Sequence, residues 1–382
     1  MARDLSKAFN KPVYVTRPVL PDLKQYISKL EQVWESGWLT NQRLQHQMLE
    51  DRLTRTLKVP ILSLFNNGTT ALMVACKSLE LTGEVITTPF TFAATPHALT
   101  WNNVNPLFCD IDPVTMNIDS QKIEAQITPQ TTAILAVHVF GTPCDVTKIQ
   151  EIADMNGLKV IYDAAHAFGV EVDGKGIGNF GDITMFSFHA TKLFHSAEGG
   201  ALTFKDPLLK PHVNLLKNFG IKGEEVVLPG INGKMNELQA AMGLVILDIY
   251  EEERKKREAL VKKYREVLEK VEGITCLREL SGVKESYQYF CIRIDEKLFG
   301  RSRDSIYQEL KKYNIYTRKY FYPLCSEYAI YRHLPSASPL NLPVAHRIVN
   351  EILTLPLYGE LNGEDVGTIC EILISLRRDR VL

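Results

Sequence analysis

The sequence predicts an α/β protein, with a large unit built on a mostly parallel sheet followed by a smaller α+β unit at the carboxyl end. Three observations predict it. Between about residues 60 and 205, short apolar runs alternate with helix-length stretches, the pattern of strands and the helices that cover them. After Gly233 the apolar period changes to that of one long amphipathic helix. Beyond Glu285, strand-like and helical runs follow in mixed order. At 382 residues the chain is long enough for about two or three such units.

In the large unit, strands are expected at 61–65, 84–89, 105–110, 133–140, 159–163, 183–188 and 201–204, where apolar residues run together between turn formers. Helices are expected among them at 70–79, 120–125 and 145–154. The long helix is expected to reach about Val271, because Leu260, Tyr264, Val267 and Val271 recur at spacings of three and four. Its stretch 251–270 mixes eight basic with six acidic residues and reads as a solvated face rather than a polyanion site. Strands at 287–294 and 315–321 and helices at 305–312, 343–353 and 364–376 complete the small unit. The expected division is 1–233, a linking helix over 234–272, and 273–382.

Composition narrows the function classes. With 45% hydrophobic and 23% charged residues the chain is an ordinary globular one, and 44 Lys+Arg against 45 Asp+Glu give no support to a nucleic-acid surface. The seven cysteines are scattered without a C-x-x-C pair, which reads as reduced thiols in a cytoplasmic protein. The opening MARDLSKAFNKPVYV lacks the apolar core of a leader, and no run approaches the ~18 apolar residues of a membrane span, so neither secretion nor insertion is expected.

Gly176-Ile-Gly178-Asn-Phe-Gly181 matches the dinucleotide fingerprint letter for letter, but a polar turn precedes it and a strand-like run follows, so a Gly-rich turn is expected. Three other segments carry chemistry. In LFNNGTTALMVA a strand end passes through Asn66-Asn67-Gly68 into a helix, with Gly68 allowing a close turn and Thr69 able to cap. Free N–H groups there suit one phosphate group, although an ordinary cap would look the same. In Tyr162-Asp163-Ala164-Ala165-His166 a carboxylate ends a buried strand with a histidine three residues on, either a functional pair or an Asp cap beside a core His. In the run from Phe186 to Gly200, Lys192 is a lone lysine among apolar residues. Burial would lower its pKa and give a neutral amine able to form an imine. A metal held by His189 and His195 is the rival reading, but no nearby carboxylate or cysteine completes a ligand set, and no metal site is expected. Together these parts are what pyridoxal phosphate needs: a phosphate anchor, an amine for its aldehyde, and a carboxylate that keeps its ring nitrogen protonated.

These motifs, with Ser36-Gly37-Trp38-Leu39-Thr40, Gly233-Lys234-Met235-Asn236-Glu237-Leu238-Gln239-Ala240-Ala241 and Leu355-Pro356-Leu357, resemble the sugar-nucleotide aminotransferases of the DegT/StrS type, which are fold-type-I pyridoxal phosphate enzymes. The resemblance covers nearly the whole chain. It implies that Lys192 is the imine-forming lysine, that Asp163 pairs with the ring nitrogen, and that His166 lies near the ring hydroxyl. Phe92 would stack on the ring, and Gly68, Thr69 and Ser187 would hold the phosphate. It also implies a homodimer with shared sites, in which Asn232 and Lys234 reach the neighbouring subunit's phosphate. Trp38, Thr40, His189 and Tyr322 would meet the substrate. A dehydratase branch carries His at the lysine position, so Lys192 speaks for amino transfer. The stretch Phe188-His189-Ala190-Thr191-Lys192-Leu193-Phe194-His195 with Glu198-Gly199-Gly200 is similar to enzymes acting at carbon 4 of the hexose, particularly those making dTDP-4-amino-4,6-dideoxyglucose for surface polysaccharide such as O-antigen. The implied amino donor is L-glutamate and the acceptor a dTDP-linked keto-sugar. Action at carbon 3, or a non-catalytic binding protein, are the alternatives. Cys325 stands where many members have His, in a loop expected near the substrate.

Overall fold

The computed structural model describes residues 8–377. At its centre is a seven-stranded sheet in the order Leu62–Phe65, Gly200–Phe204, Ile183–Ser187, Lys159–Asp163, Thr131–Val137, Glu84–Thr87, Asn105–Phe108. Gly200–Phe204 runs antiparallel to both neighbours, and the other pairings are parallel. Six strands therefore point one way, and the loops after Phe65, Thr87, Val137, Asp163 and Ser187 open on a single edge.

Successive residues along each central strand feed opposite faces of the sheet. Val85, Leu135 and Ile161 pack with helices Gly68–Ser78, Ala94–Trp101 and Leu209–Leu216 in one core. Ile86, Ile134 and Val160 pack with Ile149 and Ile152 of helix Val146–Asn156 in another. The long helix Glu237–Leu268 opens on a capping box, in which Asn236 and Gln239 each satisfy the other's backbone N–H. Its first half adds Leu244, Leu247 and Tyr250 to a core of the large sheet. The second half packs Leu260, Tyr264 and Leu268 on an antiparallel sheet of Ile274–Cys276, Phe290–Ile294 and Ile352–Leu355.

Several expectations are corrected. The charged stretch 251–270 is not wholly solvated: Arg257 is fully buried, Glu253 and Arg254 nearly so, and Glu253 accepts the Gly359 N–H at 2.7 Å. The expected helix 343–353 ends at Glu351, because Ile352–Leu355 is claimed by pairing with Phe290–Ile294. The expected strand 315–321 shrinks to Ile315–Tyr316, which pairs with Val13–Tyr14 from the other end of the chain. The strand expected to reach residue 140 stops at Val137, since Phe140 turns into the left-handed region at φ 56°. Helices Leu23–Ser36 and Leu44–Thr56, before the sheet, were not expected at all. Gly176–Gly181 lies in a hairpin and a tight helical turn, as its polar surroundings imply. All seven cysteines are free and buried. No helix among the described residues is long and apolar enough to cross a membrane.

Candidate active site

The loops on the shared edge enclose a cavity of about 290 Å³. Asp163 enters it as the last residue of a buried strand, only 5% exposed. Its Oδ2 accepts the Thr95 hydroxyl at 2.8 Å and its Oδ1 the Ala165 N–H at 3.0 Å. Burial raises its pKa, opposed by those two donors and by the charge of Lys192. Each oxygen keeps a lone pair for a partner in the cavity.

Lys192 lines the same cavity, its ammonium 5.9 Å from the Tyr289 ring centre. Dense surroundings lower its amine from 10.5 to about 8, with Asp163 pulling the other way, although the side chain keeps some open surface toward the cavity. His166 is buried, and burial, with Lys192 adding, holds it well below the usual histidine range. Its Nδ1 accepts the Phe140 N–H at 3.2 Å, which places the proton of the neutral ring on Nε2. The left-handed turn at Phe140 is what aims that N–H, and the imidazole lies parallel to the Phe140 and Phe321 rings at 6.2 and 5.9 Å.

Gly68, Thr69 and Ser187 form one corner of the cavity. Asn67, not Thr69, caps the helix, its side chain accepting the Thr70 N–H at 2.8 Å. Helix geometry leaves the N–H groups of Gly68 and Thr69 without intrahelical acceptors. A side chain at Gly68 would put its Cβ 3.1 Å from that of Ser187, so glycine lets the turn lie against the strand. Phe92, 64% exposed, lines the cavity from the loop after Thr87, and His189 stands at its surface with Nε2 3.6 Å from Glu198.

Five expected residues lie outside this lining. Trp38 and Thr40 are exposed, with the Arg43 guanidinium 4.2 Å above the indole. Tyr322 is half exposed and stacked by Arg303 and Lys319. Asn232 accepts the Asn66 amide through its carbonyl, and the Lys234 ammonium sits 4.6 Å over Phe219. Cys325 is not in the lining itself: it is fully buried, its Sγ directed at the carbonyl of Thr91, which does line the cavity. His195 is buried with Nε2 on the Val19 carbonyl, and no three His, Cys, Asp or Glu side chains cluster for a metal among the described residues.

Sequence reasoning missed Thr95, which holds Asp163, and Tyr289, Arg318, Tyr320 and Phe321, which line the cavity from the carboxyl-terminal part. Thr95 had a signal, a polar residue opening a helix after a strand. The other four had none, since long-range pairing sets their positions.

The donor set fits pyridoxal phosphate: free helix-end N–H groups beside a serine at one corner, a buried carboxylate with open lone pairs, and a desolvated amine in the same space. The chain is 47% identical over 370 residues to a dTDP-4-amino-4,6-dideoxy-D-glucose transaminase of Escherichia coli, covering 96% of this chain and 99% of that one. A transaminase of the same name from Shigella dysenteriae is 41% identical over 370 residues, covering 97% and 99%. Among solved structures, DesI in the presence of its TDP-sugar product superposes with a TM-score of 0.92 at 36% identity, covering 97% of this chain and 96% of that one. A family model described as the DegT/DnrJ/EryC1/StrS aminotransferase family matches residues 22–374, and with the cavity built as it is, the chain belongs to that family.

Proposed function

We propose that the protein moves an amino group from L-glutamate to the 4-keto carbon of a dTDP-linked 4-keto-6-deoxyhexose, giving dTDP-4-amino-4,6-dideoxyglucose for surface polysaccharide such as O-antigen. The observation that carries this reading is the convergence of Lys192 and Asp163 in one cavity, with an open helix N-terminus at its corner. The names of the two transaminases support the substrate. Pyridoxal phosphate, when bound, supplies an electron-accepting ring and a carbon that carries the amino group between donor and acceptor.

The chain's residues do the rest. Gly68, Thr69 and Ser187 hold the phosphate through N–H and hydroxyl groups. Asp163, fixed by Thr95 and Ala165, would keep a proton on the ring nitrogen, and Phe92 would be the aromatic neighbour of the ring. His166 donates from Nε2 toward the ring hydroxyl. Lys192 would be the group that moves the proton at the substrate carbon, through Nζ, a task suited to an amine titrating near 8.

The working form in this reading is a cytoplasmic homodimer in which Asn232 and Lys234 complete the neighbour's phosphate site, while Trp38, Thr40, His189 and Tyr322 meet the substrate. Exposed Leu23, Ile27 and Trp34 along one helix face, and Phe219, Val226 and Val227 about the hairpin 221–226, supply apolar surface for such a contact. The chain is read as 1–233, a linking helix over 234–272, and 273–382. The test is incubation of the loaded protein with glutamate and a panel of keto-sugar nucleotides, with NMR of the product. Nitrogen at carbon 4 is expected; nitrogen at carbon 3 would overturn the regiochemistry, and no transfer at all would overturn the function.

A further inference from the structure

An amino-acid donor and a sugar nucleotide enter the same cavity by turns, and the donor brings carboxylates that need a cation. The charged and titratable groups in the lining pair off unevenly. Lys192 stands in the field of Asp163, and His189 lies 3.6 Å from Glu198. Arg318 remains, exposed, with no carboxylate within ion-pair distance among the described residues.

Its backbone is fixed while its guanidinium is only lightly held. The Arg318 N–H donates to the Thr354 carbonyl at 3.2 Å, and the Thr354 N–H returns a bond to the Arg318 carbonyl at 2.8 Å. Nη1 donates to the Tyr320 hydroxyl at 2.9 Å, and the other N–H groups of the fork have no acceptor among the described residues. Tyr320 packs on Tyr289 with ring centres 5.3 Å apart, and Tyr289 is the ring beside the Lys192 ammonium. Lys192, Tyr289, Tyr320 and Arg318 are thus linked by successive contacts in the lining of one cavity, and among the described residues the guanidinium has no carboxylate partner.

We propose that Arg318 is the receptor for a carboxylate of the amino-acid donor. The inference rests on the amino transfer argued above and assigns the donor a residue of its own. A guanidinium fork matches a carboxylate in shape and stays charged at every working pH. Phosphate already has a separate corner, built from helix-end N–H groups.

The test separates the two half-reactions, each followed by the absorption of the cofactor. Protein loaded with pyridoxal phosphate is mixed with L-glutamate, and protein loaded with pyridoxamine phosphate is mixed with the keto-sugar nucleotide. In Arg318→Met the first reaction is expected to slow by about 10- to 100-fold, the size of a lost charged hydrogen-bonded pair, and Arg318→Lys to fall between. The second reaction is expected to stay within about twofold, which also reports that the variant is folded. L-Isoglutamine and L-glutamine replace the α- and γ-carboxylate by an amide. Native protein should lose rate with one of them, and Arg318→Met should no longer feel that change. Equal slowing of both half-reactions, slowing of the sugar step alone, or a variant as sensitive to both amides as the native protein would overturn the proposal. A native protein that accepts no amino group from glutamate would overturn the function, and the inference with it.

Discussion

Lys192 sits where two influences oppose: its desolvated surroundings disfavour the ammonium, and Asp163 favours it, leaving the amine near 8. The sign follows directly. Raising pH through 8 increases the neutral form, which is the form that attacks an aldehyde, so capture of pyridoxal phosphate by the cofactor-free protein should be about tenfold faster at pH 9 than at pH 7. Stopped-flow mixing across that range reads the midpoint, and one near 10.5 would mean that the amine is not desolvated. Borohydride treatment of the loaded protein should link the cofactor to the peptide carrying Lys192, and Lys192→Ala should bind it only reversibly. Label recovered on Lys159 or Lys234 would sink the assignment. Asp163→Asn keeps the size and can still accept the Ala165 N–H, with its amide N–H turned to the Thr95 hydroxyl oxygen, but removes the charge, so cofactor binding should survive while turnover drops at least about tenfold, or about 1.4 kcal/mol. A variant above that level would make Asp163 a cap. Lys192 and Asp163 were legible in the sequence because each is a polar residue at an abrupt break in an apolar run. Arg318 was not, because nothing local to residue 318 announces a pairing with Thr354.

At the scale of elements, Gly200 matters more than its place in a strand implies. A Cβ there would lie 2.8 Å from the backbone of Asn67 and Gly68, so Gly200→Ala must push the turn that forms the phosphate corner. The expected result is a stability loss of about 1–3 kcal/mol and a weaker hold on pyridoxal phosphate, read by denaturant melts and by cofactor titration. Unchanged affinity would show that the corner tolerates displacement. The strands of the large sheet were legible to within a few residues, since buried parallel strands announce themselves as short apolar runs. Ile352–Leu355 was not separable from the helix before it, because a four-residue apolar run carries no period and its pairing with Phe290–Ile294 decides. The helix cap was misplaced by two residues: Asn67 and Thr69 have equal chemistry for the role, and only the backbone turn chooses between them.

At the scale of the whole molecule, a shared site makes a quantitative claim about mixed dimers. If Lys192 of one chain works with Lys234 of the other, both Lys192→Ala and Lys234→Ala homodimers are impaired, while a mixed dimer concentrates both defects in one pocket and leaves the other intact. With random assortment about half the dimers are mixed, so co-refolding should return about a quarter of native activity. No recovery, with mixed dimers shown by native mass spectrometry, would mean that Lys234 acts within its own subunit or not at all. The burial of all seven cysteines has a different consequence. Burial pushes the thiols of Cys76, Cys109, Cys276, Cys291, Cys325 and Cys370 up to about 12, and that of Cys144 up as well. At pH 8 a thiol so placed has about three orders of magnitude less thiolate than a free one, so a thiol reagent reaches it only when its surroundings open. Cys76 belongs to one face of the large sheet and Cys109 with Cys144 to the other, while Cys291 with Cys325 and Cys276 with Cys370 sit in two further cores. Four of the molecule's cores thus carry their own clock, and the order in which the seven thiols take up label will time how the protein comes apart.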